Sequence, residues 1–232
     1  MNSRARKFQD DFAKVVTVLE TNLPDTIDGQ TAIIAMRDGG SRNWKQMEWI
    51  GFWFEFVVET QVLEAVDGKP GPKFGRTQID LMLSAPWDLK AHPADVDKVI
   101  LNDVAAVDKC IAKFGVINYL LLKGDVAYDD DQETFKKWHD SVKGKPSRYV
   151  LRGVLSRRPS RVRKTAFSPL EILGIQLDHG DLRRGETAGW ISRFQEGMVN
   201  ANGRPRNSKY MIHLDKIDAS LTSSSSVIFP RD

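Results

Sequence analysis

Asp80, Asp88 and Lys90 are the residues whose types and spacing point most directly to chemistry. They fall in the stretch Gln78-Ile79-Asp80-Leu81-Met82-Leu83-Ser84-Ala85-Pro86-Trp87-Asp88-Leu89-Lys90. Asp88 and Lys90 are two positions apart on a short expected strand, so their side chains leave the same face. Trp87 and Leu89 then face a core. Asp80 belongs to the preceding strand, and a tight reversal at Ala85-Pro86 brings it across from Asp88. Two carboxylates and one ammonium thus converge at a sheet edge. Paired carboxylates are hard oxygen donors suited to Mg²⁺, with Mn²⁺ as a substitute. Such an ion neutralises their repulsion, activates water and stabilises charge on a phosphodiester oxygen. Lys90 is placed to hold or deprotonate the attacking water, or to steady the transition state. The chemistry such a cluster would support is in-line hydrolysis of a phosphodiester. The competing reading is a plain ion pair on a surface hairpin.

Elements on either side must hold this hairpin. Phe8, Phe12, Val15, Val16 and Leu19 recur at helical spacing, which predicts a helix over 7–22. Thr31 to Met36 reads as a strand, and Asp38-Gly39-Gly40-Ser41 as a turn. Asn43 is placed to cap a helix running to about Glu59, with Met47, Ile50, Phe54 and Val57 on its apolar side. Asp67 to Pro72 is a turn cluster. Thr77 to Leu83 alternates as a strand, and Trp87 to Ala91 is a second. Asn102 reads as the N-cap of a helix bearing Val104, Val107, Ile111 and Phe114. Gly115 ends that helix, and the apolar run Val116 to Leu122 is a buried strand. This order predicts an α/β fold with a mixed central sheet, flanked by helices, and a helix crossing over it. Further on, 129–143 reads as a helix, 149–155 and 172–177 as strands, 188–198 as a helix and 210–214 as a strand. Ser220 to Ser226 reads as a flexible loop.

Together these features resemble the PD-(D/E)xK nuclease superfamily, the fold of most type II restriction endonucleases. Asp80 is similar to the first acid of that pattern, Asp88 to the second and Lys90 to the lysine. Ile79 stands where the family often has Pro. The resemblance covers about 45–123, the expected catalytic core of a single domain spanning 1–232. It implies a restriction-endonuclease-like core, metal binding by Asp80 and Asp88, and hydrolysis of double-stranded DNA in a restriction system. Family members often carry a further acid on the helix before the hairpin. Glu59 is the preferred match and Glu55 the other. Many members act as homodimers on palindromic sites, so a homodimer is an implied assembly.

Charge is distributed unevenly. From Asp95 to Asp140 there are ten acidic and six basic side chains, a net of −4. From Lys143 to Lys164 there are nine basic side chains and no acidic one. Such a block suits a phosphate backbone through counterion release. Lys145, Arg148, Arg152, Arg157, Arg158, Arg161, Arg163, Lys164, Arg204 and Arg206 are the expected DNA contacts, in extensions over about 143–215. His92 shares strand parity with Lys90 and joins them as a phosphate contact. The bland reading of the block is a solvated basic face.

Other chemistries fit less well. The one cysteine, Cys110, excludes internal disulfides and thiolate zinc sites, and it reads as a small core residue. The four histidines are scattered and make no zinc spacing. No phosphate-binding glycine loop of the Walker type and no Gly-x-Ser-x-Gly is present. No leader or membrane-spanning run is expected, and a reducing, cytoplasmic setting fits. Two other functions fit the same residues: a repair or structure-specific nuclease of the same superfamily, and a non-enzymatic nucleic-acid-binding protein.

Overall fold

A helix opens the chain because one stripe of it is apolar. In α1 (Ser3–Asn22), Phe8, Phe12, Val15, Val16 and Leu19 are buried, and Asp11 is buried among them. The computed structural model describes residues 3–144, 162–200 and 203–226. The elements that follow α1 are β1 (Ile27–Asp28), α2 (Gly29–Asp38) and α3 (Trp49–Val57), which runs on as one wider turn over Val58–Val62. A set of short strands comes next: β2 (Lys69–Pro70), β3 (Lys73–Phe74), β4 (Thr77–Gln78) and β5 (Leu81–Met82). The centre holds β6 (Pro86–Pro93), β7 (Lys98–Asp103), α4 (Val104–Phe114), β8 (Ile117–Tyr128) and α5 (Thr134–Val142). The remainder comprises β9 (Lys164–Leu177), α6 (His179–Ala188), β10 (Ile191–Phe194), β11 (Lys209–His213) and β12 (Thr222–Ser226).

The main sheet runs β1-β9-β8-β6-β5-β2, with β12 added alongside β9. Its strands pair antiparallel except β6 and β8, which are parallel. A parallel pair needs a crossover, and β7 and α4 supply it. The architecture is therefore mixed α/β with a mixed sheet. A second sheet, β10-β11-β7, lies beside it. No helix among the described residues is long and apolar enough to cross a membrane.

Alternation along the central strands divides the core in two. Trp87, Leu89, Leu120 and Leu122 join the cluster built with α1, α2 and α3. Tyr119, Leu121, Ile175 and Leu177 join the opposite cluster, built with α4, α6, β7 and β11. Each fully buried large apolar side chain contributes about 1.5–3 kcal/mol, so the sheet is clamped on both faces. Asp88 pairs in register with Tyr119, and Lys90 with Leu121. The acid and the lysine therefore share the α4-side face.

Several local expectations are corrected. Thr31–Met36 is helical, because Asp28 caps α2 by accepting from the Thr31 N–H at 2.8 Å and one helical face buries Ala32, Ile33 and Met36. The expected 43–59 helix is a short 3₁₀ turn (Arg42–Lys45) followed by α3. The expected 77–83 strand is broken into β4 and β5 around Ile79-Asp80. Asn102 is not a helix cap but the penultimate residue of β7. In place of a helix over 188–198, α6 ends at Gly189 (φ +81°) and β10 follows. The serine run 222–226 is no loop but β12, paired with Glu171–Ile175 of β9. The expected strand over 149–155 lies outside the described residues.

Candidate active site

Asp80 stands in the break between β4 and β5. Backbone pairing continues through the break, with Ile79 N–H on Pro72 O at 3.0 Å and Gly71 N–H on Asp80 O at 3.2 Å. The chains approach so closely there that a Cβ at Gly71 would collide with the Ile79 carbonyl. The break turns Ile79 into one core and Leu81 into the other. Asp80 Oδ2 accepts from the Leu89 N–H at 2.8 Å, so this acid is tied directly to β6.

Asp88 is 1% exposed. Its Oδ1 accepts from Asn102 Nδ2 at 2.6 Å, and its Oδ2 pairs with the Lys90 ammonium. Lys90 Nζ also reaches the Leu89 carbonyl at 3.3 Å. Burial alone would pull the Lys90 ammonium down, but Asp88, Asp80 and Glu55 together hold it above the ordinary lysine range. Lys90 is therefore a cation at neutral pH.

The remaining acid is Glu55 on α3. Burial raises its carboxyl to about 7, opposed by Lys90 and reinforced by Asp88 and Glu59. Burial, then Asp88 and Glu55, raise Asp80 to about 8, with Lys90 and the Leu89 N–H offsetting part of this. Three acids and one lysine thus act on one another electrostatically. Glu59, the preferred match in the sequence, is exposed on the wider turn after α3. The helical register leaves Glu55 half-buried, within the influence of Lys90 and Asp88, and Glu59 exposed.

Among the described residues no group of three or more His, Cys, Asp or Glu side chains is arranged to hold a metal ion. The two acids expected as ligands still fit a hard cation that keeps much of its own water. Asp80 Oδ1 takes no hydrogen bond from a described residue, and a cation would relieve the repulsion from Asp88 and Glu55 that adds to burial in raising Asp80. Two buried polar atoms on the same side, Asn102 Oδ1 and the Tyr119 hydroxyl, have no hydrogen-bond partner among the described residues.

Two residues of this arrangement escaped the sequence reading. Asn102 was legible only as a cap. The other is Asp11, 6% exposed, whose Oδ2 accepts from Ser84 N–H (3.1 Å), Ser84 Oγ–H (2.6 Å) and Trp87 Nε1–H (3.4 Å). It holds the β5–β6 turn from α1. The signal was an acid on an otherwise apolar helical stripe.

The expected DNA contacts separate. Lys145, Arg148, Arg152, Arg157, Arg158 and Arg161 lie outside the described residues. Arg163 is only 9% exposed, with Nε and Nη1 enclosed, so it is not part of the surface a polyanion meets. Lys164 pairs with Glu48 at 3.0 Å. His92 is half-buried and its Nε2 meets the Val96 carbonyl at 2.9 Å. Gln78 is turned to the Gly71 and Ile79 carbonyls. Arg204 and Arg206 are exposed on the loop before β11. Cys110 is fully buried in the core, as expected.

The chain matches no family model, no curated protein and no solved structure.

Proposed function

We propose that this chain is a Mg²⁺-dependent endonuclease that hydrolyses phosphodiester bonds of double-stranded DNA, with the sequence-specific action of a type II restriction enzyme. The observation that carries this reading is the grouping of Asp80, Asp88, Lys90 and Glu55 where β6 meets the β4–β5 break. The order of elements agrees with it: a helix bearing an acid, Asp80 immediately before β5, Asp88 on the antiparallel β6, and a crossover to a strand parallel to β6. That order is similar to the one the resemblance implies, with β7 inserted before the crossover helix.

Asp80 and Asp88 would hold the ion, which when bound supplies charge neutralisation and a more acidic water. Asn102 fixes the plane of the Asp88 carboxylate. Lys90, charged at neutral pH, stabilises negative charge on the phosphate rather than accepting a proton. Glu55, whose carboxyl is raised to about 7, is the acid suited to exchange a proton with water near neutral pH.

Mixed-sequence duplex DNA incubated with the protein tests this directly. Discrete fragments are expected with Mg²⁺, none with EDTA, and none from Asp88→Ala. Smears, or preference for branched substrates, would move the reading to a structure-specific nuclease. Binding without cleavage in both Mg²⁺ and Mn²⁺ would overturn it.

A further inference from the structure

A basic trough lies on the far side of β7 from Asp88. Two adjoining hollows of about 410 and 350 Å³ share Arg76, Asp103 and Asn207 in their walls. The first is lined by Phe74 and the start of α4, the second by Gln195, Asn200, Arg204, Pro205, Arg206 and Lys209. Arg76, Lys109, Arg204 and Arg206 are exposed around them. Arg76, Lys109 and Arg206 have no ion-pair partner among the described residues.

The acids in these walls are already answered. Asp103 accepts from Lys209 Nζ and Asn207 Nδ2, each at 2.8 Å, and from Thr77 Oγ1 at 3.5 Å. Asp108 accepts from the Tyr210 hydroxyl at 3.0 Å. The trough is left with a surplus of positive charge.

Its walls are also continuous with the candidate site. Asn102 and Asp103 are successive residues of β7 and point to opposite faces. Asn102 reaches Asp88, while Asp103 reaches Lys209 and Asn207. Thr77, which also touches Asp103, lies on β4 just ahead of Asp80. β4, which leads into Asp80, and β7, which carries Asn102, therefore border the trough as well.

We infer that this trough, rimmed by Arg76, Lys109 and Arg206, seats the sugar-phosphate backbone of duplex DNA across β7 from the acidic cluster. The inference rests on the nuclease reading for the identity of its polyanion. Charge complementarity favours a polyphosphate chain, and guanidinium groups present paired donors to phosphate oxygens. Phosphate contacts of this kind set position rather than sequence preference.

The test measures binding of a labelled mixed-sequence duplex to the full chain, in EDTA, by fluorescence anisotropy across a salt series. The triple variant Arg76→Ala/Lys109→Ala/Arg206→Ala is expected to bind at least about tenfold more weakly at low salt. Its log Kd against log salt slope should fall by about 0.9 for each contact removed. Arg76→Lys should recover part of the loss on a protein that melts like the wild type. Unchanged affinity and slope in the triple variant, with wild-type cleavage intact, would overturn the trough while leaving the nuclease reading standing. Weakened binding by the triple variant, with no cleavage by any form, would support the trough and overturn the nuclease reading. Failure of the wild-type chain to bind duplex DNA, with capture of an acidic peptide instead, would overturn both.

Discussion

Asn102 donates its side-chain amide to Asp88, Nδ2 to Oδ1 at 2.6 Å, from a strand belonging to a different sheet. The bond is buried at both ends, since Asn102 is 7% and Asp88 1% exposed. With Lys90 on the other oxygen, the carboxylate has no freedom to rotate.

Asn102→Ala is therefore expected to act on the site through Asp88. A residue that orients a metal-binding carboxylate typically accounts for 10–100-fold in affinity or activity. The variant should cleave DNA about 10-fold more slowly or worse and need more Mg²⁺ for half-maximal rate. It should also lose about 1–3 kcal/mol of stability, because a buried acceptor is left without its donor. Denaturant unfolding and a Mg²⁺ titration of the rate check both parts. An unchanged Mg²⁺ requirement would refute the positioning role.

The two helix acids should separate cleanly. Glu55→Gln is expected to lower kcat/KM by about 10-fold or more, a magnitude ordinary for an acid–base group. Glu59→Gln should stay within about twofold, because Glu59 is exposed. Steady-state rates on one duplex decide this, and the reverse ranking would restore Glu59 as the site acid.

Asp80 gives the metal-free protein a pH signature. Burial first, and then Asp88 and Glu55, raise its carboxyl from 3.8 to about 8. The folded state thus keeps a proton that the unfolded chain has already released, so stability falls as pH climbs through that window. The penalty is complete only above about pH 8. Asp80→Asn removes it. In EDTA its Tm should gain on the wild type as pH rises from about 5 to about 9, with each 1 kcal/mol equal to about 2–4 °C. A Tm difference that stays constant across that range would refute the assignment.

Asp11 should matter for stability and activity together. Asp11→Ala leaves the Ser84 and Trp87 donors without their shared acceptor. Hydrogen bonds to a charged group are each worth about 1.5–3 kcal/mol, so a loss of about 2–4 kcal/mol is expected in thermal melts. Asp11→Asn, which keeps an acceptor oxygen, should recover part of it. Identical melts for Ala and Asn would show that the hydrogen bonds are not the cause.

Local pattern revealed the pieces that are locally determined. The apolar stripe of α1, the continuous run that becomes β8, and the stop at Gly115 (φ +82°) needed no distant partner. Asp88 and Lys90 were legible because strand parity alone puts them on one face, and Asp80 because the short β5–β6 reversal returns it beside β6. Asn102 was not, because β7 exists by pairing with β11, where Ile100 meets Met211. No short window contains both strands. The serines of β12 failed for the same reason: their strand is defined by β9, and their composition reads as loop. Thr31–Met36 failed differently: its β-branched residues suggest a strand, but burial of Ala32, Ile33 and Met36 on one helical face outweighed that preference.

The pairing of β12 also bears on how the molecule forms. Ser223 Oγ donates to Gln9 Oε1 at 3.0 Å across 214 positions, and Ser225 Oγ donates to Glu20 Oε1 at 2.8 Å across 205. The helix receiving these bonds is the one whose Asp11 steadies the β5–β6 turn. Contacts between such remote segments cost loop-closure entropy before they return any stability. Nearly all the described chain must therefore be synthesised before α1 is secured on both sides. The acidic cluster matures late, so a half-made chain leaving the ribosome carries its carboxylates without the frame that aims them.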